Sequence, residues 1–477
     1  MGRWSILLPL IIFFLGTGVI LFWLFHDPVA DYIPSLPGMD HRGTGVKTAE
    51  EVKIGALFTF FRSSVEKTGT SWPRFRGRDF DNINKEPIKL IDSWGGKGPD
   101  ILWKVELGEG HAAPAVYNGR VYVLDYDEKK REDALRCFSL TTGEELWRRA
   151  YGVRLKRNHG LSRTIPAVTD RYVVTIGPKC QVMCCDRING DFLWGVDLVK
   201  EYGTEVPFWY TGQCPLVDND TAIIAVGGRS LFIAVDCKTG KKVWETPNPR
   251  KWKMSHASVM PMTLNGKRSY VYFAVGGICG ISASAPDRGA ILWECTEFSP
   301  SVIAPSPVIF GNGYIFITAG YGAGSALLQV KSAGNSGPGR FAVSVLQKYR
   351  PSEGLASEQQ TPVYLNGYLY GILPKDAGNL RNQFIVVKAT ECRNIITSSG
   401  KSDRYGLGPF IFADGKFFIL NDDGAMTIAT ATPKEFKVLD RARIIDGQDS
   451  WGPVALTGGY MLIRDSKTMV CLNMKAR

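Results

Sequence analysis

One phrase constrains this chain more than any other. Ala134-Leu-Arg-Cys-Phe-Ser-Leu-Thr-Thr-Gly-Glu-Glu-Leu-Trp147 reads as a strand, a tight turn and a second strand ending on tryptophan. Leu135, Cys137 and Ser139 share one face of the first strand, and Arg136, Phe138 and Leu140 the other. Gly143 supplies the positive φ that a short hairpin demands. The phrase returns as Val182 to Asn189-Gly190 before Trp194, as Ile233 to Thr239-Gly240 before Trp244, and as Ile281 to Arg288-Gly289 before Trp293. Self-similarity at a period in the forties marks an architecture of stacked units.

Prolines punctuate the same period. Pro114, Pro166, Pro215, Pro261, Pro307, Pro362, Pro409 and Pro453 each stand beside a short apolar strand, at spacings of 44 to 55 residues. Asn118-Gly119, Asn312-Gly313, Asn366-Gly367 and Asp414-Gly415 follow as hairpin turns between apolar runs. Two strands from this half and two from the tryptophan phrase make a four-stranded unit. Eight such units predict an all-β fold, an eight-bladed β-propeller of four-stranded antiparallel blades. The last unit, from Pro453 to Lys475, has room for three strands only. An orphan fourth strand, Ile101-Leu-Trp-Lys-Val-Glu-Leu107, precedes the first unit. The expectation is that it completes the eighth blade, ties the ring shut and removes two free edges. In the later blades Val343 to Leu346, Asn394 to Ile396 and Phe436 to Leu439 replace the tryptophan phrase, so blade packing should differ there.

A chain of 477 residues with 52 glycines and 26 prolines suits many short strands and turns. Its formal net charge of +11 is not gathered into any Lys/Arg block. It reads as a dispersed solvated surface, and no nucleic-acid partner is expected.

Trp4 to Phe25 carries no charge over 22 residues, enough to span a hydrocarbon core as a helix. Arg3 precedes it and Asp27 and Asp31 follow, which places the rest of the chain outside the cytoplasm. Pro28-Val-Ala30 makes a poor signal-peptidase site, so residues 1–25 are read as an uncleaved transmembrane signal anchor. Residues 26–71 form a tether rich in proline and glycine at its start. Thr48-Ala-Glu-Glu51 resembles a capping box, and a short helix over Val52 to Arg62 is expected. Its apolar side chains would rest on the membrane or on the body. The propeller occupies residues 72–477.

The Gly-x-x-x-Trp phrase at this period resembles the PQQ-type propeller repeats of quinoprotein alcohol dehydrogenases. Trp72-Pro-Arg-Phe-Arg-Gly77, the Trp103 strand and Gly108-Glu-Gly-His111 resemble a group of bacterial membrane-anchored PQQ-like repeat proteins. The propeller lipoprotein of the outer-membrane β-barrel assembly machine is similar in shape. The resemblance implies that Trp103, Trp147, Trp194, Trp244 and Trp293 dock neighbouring blades, a structural task. It also raises PQQ with Ca²⁺ as a cofactor. A fold of this kind hosts many functions.

Cys137, Cys184 and Cys471 occupy similar third-strand positions and read as small apolar fillers. Cys184-Cys185 lies within a strand, where neighbours point to opposite faces, so a vicinal disulfide is not expected. No Cys-x-x-Cys-His occurs, and covalent c-type haem is not indicated. Gly320-Tyr-Gly-Ala-Gly324 lacks the Lys-Ser/Thr ending of a phosphate loop and reads as a turn.

The histidines carry more information. His111, His159 and His256 each fall just before an inner strand, in the loops entering blades one, two and four. In a propeller those loops share one face and ring the central channel. The same set of loops carries Asn158, Arg163, Trp209, Tyr210, Gln213, Glu358, Gln359, Gln360, Arg404, Tyr405, Gln448, Asp449 and Trp451. Of these, the three histidines with Arg163, Trp209, Tyr210, Gln213, Glu358, Gln359, Tyr405, Asp449 and Trp451 are the candidate ligand residues. Aromatic members would stack on a flat ring or a sugar, and Arg163 would pair an anionic group. No metal ligands or catalytic residues are assigned, and no cofactor is assigned beyond the PQQ and Ca²⁺ that the resemblance raises.

The reading that follows is a single-pass protein of a bacterial inner membrane, held through residues 4–25, with its propeller in the periplasm. It would bind or scaffold envelope proteins or a glycan, or hold a ligand at the channel mouth. The alternative is a PQQ- and Ca-dependent oxidoreductase acting on alcohols or sugars.

Overall fold

The computed structural model describes residues 4–26, 51–62, 64–96, 98–332 and 341–476. The chain divides into two compact units, Met1–Glu51 and Val52–Arg477. In the first, helix α1 (Trp4–Phe25) contains an uncharged apolar stretch, Leu7–Phe25, long enough to cross a membrane. The expected capping box at Thr48 lies outside the described residues.

The second unit is a ring of eight sheets, each built on four consecutive antiparallel strands except the last. Blade eight takes three strands from the end of the chain, and its outer strand is β4 (Ile101–Glu106). Trp103 pairs with Cys471, so the strand around the orphan tryptophan closes the ring as its sequence implies. Three further short strands come from the segment before the first blade. β1 (Leu57–Phe60) adds to the outer edge of blade one, β2 (Ser71–Trp72) to its inner edge, and β3 (Ile83–Asn84) lies parallel to the inner strand of blade seven.

The tryptophan phrase works in the same way at the five blades that carry it. Trp103, Trp147, Trp194, Trp244 and Trp293 lie opposite Cys471, Cys137, Cys184, Ala234 and Gly280 on the third strand. A small residue is required there because an indole lies across it. A Cβ on Gly280 would come within 2.2 Å of the Trp293 indole nitrogen. The periodic cysteines are thus spacers, and all ten cysteines are buried and free.

The indoles of Trp103, Trp147, Trp194 and Trp244 then reach the next blade. Trp103, Trp147 and Trp194 donate to the carbonyl oxygens of Leu140, Ile188 and Cys237, at 2.8, 3.0 and 2.8 Å. Their rings lie on Gly143, Gly190 and Gly240 of that blade's turn, where a Cβ would stand 2.7 Å away. The turn glycine therefore serves twice, through its positive φ and through the flat surface it offers an indole. In blades five, six and seven the equivalent positions hold Gln347, Thr397 and Asp440. An aromatic cluster of Tyr370, Phe384, Phe410 and Phe417 packs blades six and seven instead.

Beside the docking position every outer strand carries a bulge. The residue it skips is aliphatic in all eight blades: Leu102, Leu146, Leu193, Val243, Leu292, Leu346, Ile396 and Leu439. Leu146 is buried, and its carbonyl oxygen accepts from the backbone of Phe61 and Arg62. This corrects the helix expected over Val52 to Arg62, because the segment forms strand β1 instead. Leu57, Phe58 and Phe60 register with Ala150, Arg149 and Trp147, and the Arg149 guanidinium lies 4.0 Å over the Phe58 ring. An open strand edge with unpaired backbone groups outweighs local helix preference here. The compact unit accordingly starts at Val52, earlier than residue 72.

Candidate functional site

The segment from Ser71 to Asn84 closes one end of the channel. It follows the far ends of the inner strands, pairing Trp72 with Val116 of blade one and Ile83 with Phe412 of blade seven. Between these points its side chains are used as clamps. Arg74 donates to Val217 of blade three, Asn82 to Phe410 and Asn84 to Leu456 of blade eight. Arg76 is buried, and its guanidinium is spent on four carbonyl oxygens, those of Phe80, Asp81, Thr361 and Pro362. The channel is therefore a cup with a floor.

Its wall is held by a belt just before the inner strands. The backbone N–H of Ile165 reaches the Cys214 sulfur, Cys214 N–H the Ser258 hydroxyl, Ser258 N–H the Ser306 hydroxyl, and Ser306 N–H the Thr361 hydroxyl. Each step runs from one blade to the next, from the second to the sixth. Nothing in the sequence marks this belt except a small polar or sulfur-bearing residue at those positions.

The cup has a volume of about 490 Å³. His111, His159, Arg163, Trp209, His256, Glu358, Gln359 and Trp451 of the sequence candidates line it, with Gln360 beside them. Four candidates do not. Tyr210 is buried, and its hydroxyl exchanges hydrogen bonds with the backbone of Lys156. Gln213 is fully buried and satisfies both backbone groups of Ala225. Tyr405 belongs to the aromatic core of blades six and seven. Asp449 is exposed on the rim, outside the lining. Their loops are the expected ones, but side-chain direction within a loop is not readable from spacing. Asn158, Arg404 and Gln448 are likewise outside the lining.

Other lining residues escaped the sequence reading. Phe75, Arg76 and Asn82 come from the floor segment, and Tyr321 from the Gly320–Gly324 turn. Tyr321 stacks on Trp209, with ring centroids 5.8 Å apart and planes 14° apart. Lys375, a cation of blade six, stands 5.8 Å from the centre of the Tyr321 ring.

His111 and His256 are held as uncharged rings. Buried Arg464 of blade eight fastens the loop on both sides of His111 through the carbonyl oxygens of Gly108 and Ala112. The His111 ring lies 5.0 Å from the Trp451 ring, and its Nε2 is 3.2 Å from the His159 carbonyl oxygen. The imidazole of His256 lies 6.2 Å from Trp209. Burial, then the charge of Arg163, pushes His111 down to about 3 and His256 down to about 4.

Three polar groups on the wall are left with unmet capacity: His111, whose Nδ1 is buried without a partner, Arg163 and Glu358. Arg163 bonds the His159 carbonyl oxygen through one terminal nitrogen, while its Nε is buried without a partner. Burial pushes it down to about 10, so it stays charged at neutral pH. Among the described residues it makes no ion pair. Glu358 is buried with one carboxylate oxygen 3.8 Å from Lys375 Nζ, and its Oε2 has no partner. Burial raises its pKa. An unmet buried polar atom costs stability unless something fills it.

The eight four-stranded sheets around an axial cup define a class, the closed β-propeller. Residues 131–342 match the family described as outer membrane protein assembly factor BamB. Quinohemoprotein alcohol dehydrogenase ADH IIB of Pseudomonas putida is 24% identical over 240 residues, 48% of this chain and 27% of that protein. The chain thus spans about a quarter of the length of that relative. BamB of Moraxella catarrhalis superposes over 78% of this chain and 99% of its own, at a TM-score of 0.50 and 12% identity. A europium-containing methanol dehydrogenase covers 86% of this chain and 98% of its own, at 0.57 and 12%. Quinohemoprotein alcohol dehydrogenase of Comamonas testosteroni covers 85% and 81%, at 0.56 and 12%. At such identities these structures establish the fold alone. Together with the repeats they support a PQQ-like propeller.

The wall does not fit the calcium ion of the PQQ–calcium pair raised by the resemblance. Calcium takes six to eight oxygen ligands, several of them carboxylates. Glu358 is the one carboxylate among the lining residues, and it faces Lys375. Among the described residues no group of three or more His, Cys, Asp or Glu is placed to hold a metal ion.

Proposed function

We propose that this chain is a membrane-anchored, extracytoplasmic binding module that takes a ligand into its axial cup and offers its rim to envelope partners. The observation that carries this reading is the floored cup, whose wall leaves Arg163 Nε and Glu358 Oε2 buried without partners. A surface evolved only for protein contact has no need of a deep site with unmet polar groups. The uncharged stretch Leu7–Phe25 supports an anchor, and Arg3 before it supports an orientation with the propeller outside the inner membrane. The likeness to an assembly factor supports a non-catalytic role.

A PQQ- and calcium-dependent oxidoreductase is the competing reading, favoured by the names of several relatives. The donor set of the cup counts against it. The test is to titrate the detergent-solubilised full chain with PQQ and Ca²⁺. The expected result is no saturable quinone absorption and no dye-linked oxidation of alcohols. Saturable uptake with turnover would overturn the binding reading. Crosslinking in the native envelope is expected to return protein neighbours.

A further inference from the structure

Two charged groups with unmet capacity face each other across the cup. Arg163 stands in the loop entering the second blade and Glu358 in the loop entering the sixth, so three blades lie between them either way round the ring and they are opposed across the axis. One carries an uncompensated positive charge, the other a carboxylate oxygen without a donor. Between them the wall is largely aromatic, with Trp209, Tyr321, Trp451 and the neutral rings of His111 and His256, while the remaining cations, Lys375 and Arg76, are engaged by Glu358 and by backbone carbonyl oxygens. A simple anion would satisfy Arg163 and leave Glu358 unmet. A simple amine would do the reverse and meet the repulsion of Arg163. Only a molecule with both groups, held apart by an uncharged body, meets both walls at once.

We propose that the ligand is an elongated zwitterion of the class of a short peptide with free termini, its carboxylate on Arg163 and its ammonium group on Glu358. This rests on the ligand-binding reading above and names the ligand class for that site. Arg163 offers a planar fork for the carboxylate, with Nε available. Glu358 Oε2 accepts from the ammonium group, while its other oxygen keeps Lys375. Peptide planes in between lie against the aromatic rings. A cup of about 490 Å³ is within the usual range for a small-molecule site.

The probe is trialanine, with its C-terminal amide and its N-acetyl form, each titrated calorimetrically into the detergent-solubilised full chain. Trialanine is expected to bind, and each blocked form to bind at least about tenfold more weakly, since a charged hydrogen-bonded pair is worth roughly 1.5–3 kcal/mol. In Arg163→Gln the amide is expected to lose no more than trialanine does, and in Glu358→Gln the same holds for the acetyl form. Equal binding of all three peptides to the unmodified chain, or no binding at millimolar concentration, overturns the proposal. That test needs no variant, so a misfolded substitution does not blunt it. Quinone uptake with turnover would instead overturn the parent reading, so the two failures are distinct.

Discussion

The indole nitrogen of Trp103 donates to the carbonyl oxygen of Leu140 at 2.8 Å, joining the outer strand of the last blade to the turn of the first. The contact is repeated around the first part of the ring, but only here does it lie at the seam. Trp103→Ala removes a buried indole and its hydrogen bond, and is expected to cost about 3–5 kcal/mol. Trp244→Ala removes a half-buried ring and should cost less. Chemical denaturation of both variants checks the order.

Strand β1 covers the bulged Leu146 and pairs the outer edge of blade one. A chain beginning at Ser71 would bare that edge and its apolar neighbours. Relative to one beginning at Val52, it is expected to melt at lower temperature and to self-associate, as read by calorimetry and light scattering.

Arg163 depresses both His111 and His256, after burial as the first cause. Arg163→Gln should therefore raise both imidazoles towards 6.5 without bringing them to it. NMR titration of the ring protons reads this directly. No movement of either would mean that the guanidinium lies further away than the structure has it.

Asp133 is fully buried, with its carboxylate accepting from the Tyr151 hydroxyl at 2.7 Å, and burial pushes it up to about 7. Below that pH the folded chain holds a proton there that the unfolded chain, with a carboxyl near 4, has released. This stabilises the fold as pH falls. His111 and His256 act oppositely, because the unfolded chain takes up protons near pH 6.5 that the folded rings refuse until about 3 and 4. From pH 6.5 to 4.5 the carboxyl offsets one of the two histidines. In Asp133→Asn the loss of stability on acidification should steepen by about 1.4 kcal/mol per pH unit. Urea unfolding across that range measures the slope.

Much of this was legible because the repeat couples local chemistry to long-range contact. A turn glycine, a small third-strand residue and a tryptophan recur together, since one indole needs the other two. The closing strand could be placed because Trp103 stood without a unit of its own. The β1 strand could not, because Leu57, Phe58, Phe60 and Phe61 suit more than one period and the decision lies with the blade edge they meet. Within the site, eight of the twelve candidate side chains line the cup and four point elsewhere. Gln213 turns away to hold Ala225, while Tyr321 leans in from what looked like mere punctuation. Phe75 and Arg76 were unreadable for another reason, since a channel floor has no periodicity of its own.

The pairing of Ile101–Glu106 with Thr468–Leu472 also fixes an order of events in time. A polypeptide delivered from its amino end presents the first of these strands hundreds of residues before its mate exists. Until Thr468–Leu472 arrives, the seam stands open at Trp103, and truncation before it would leave an unsealed arc instead of a smaller wheel.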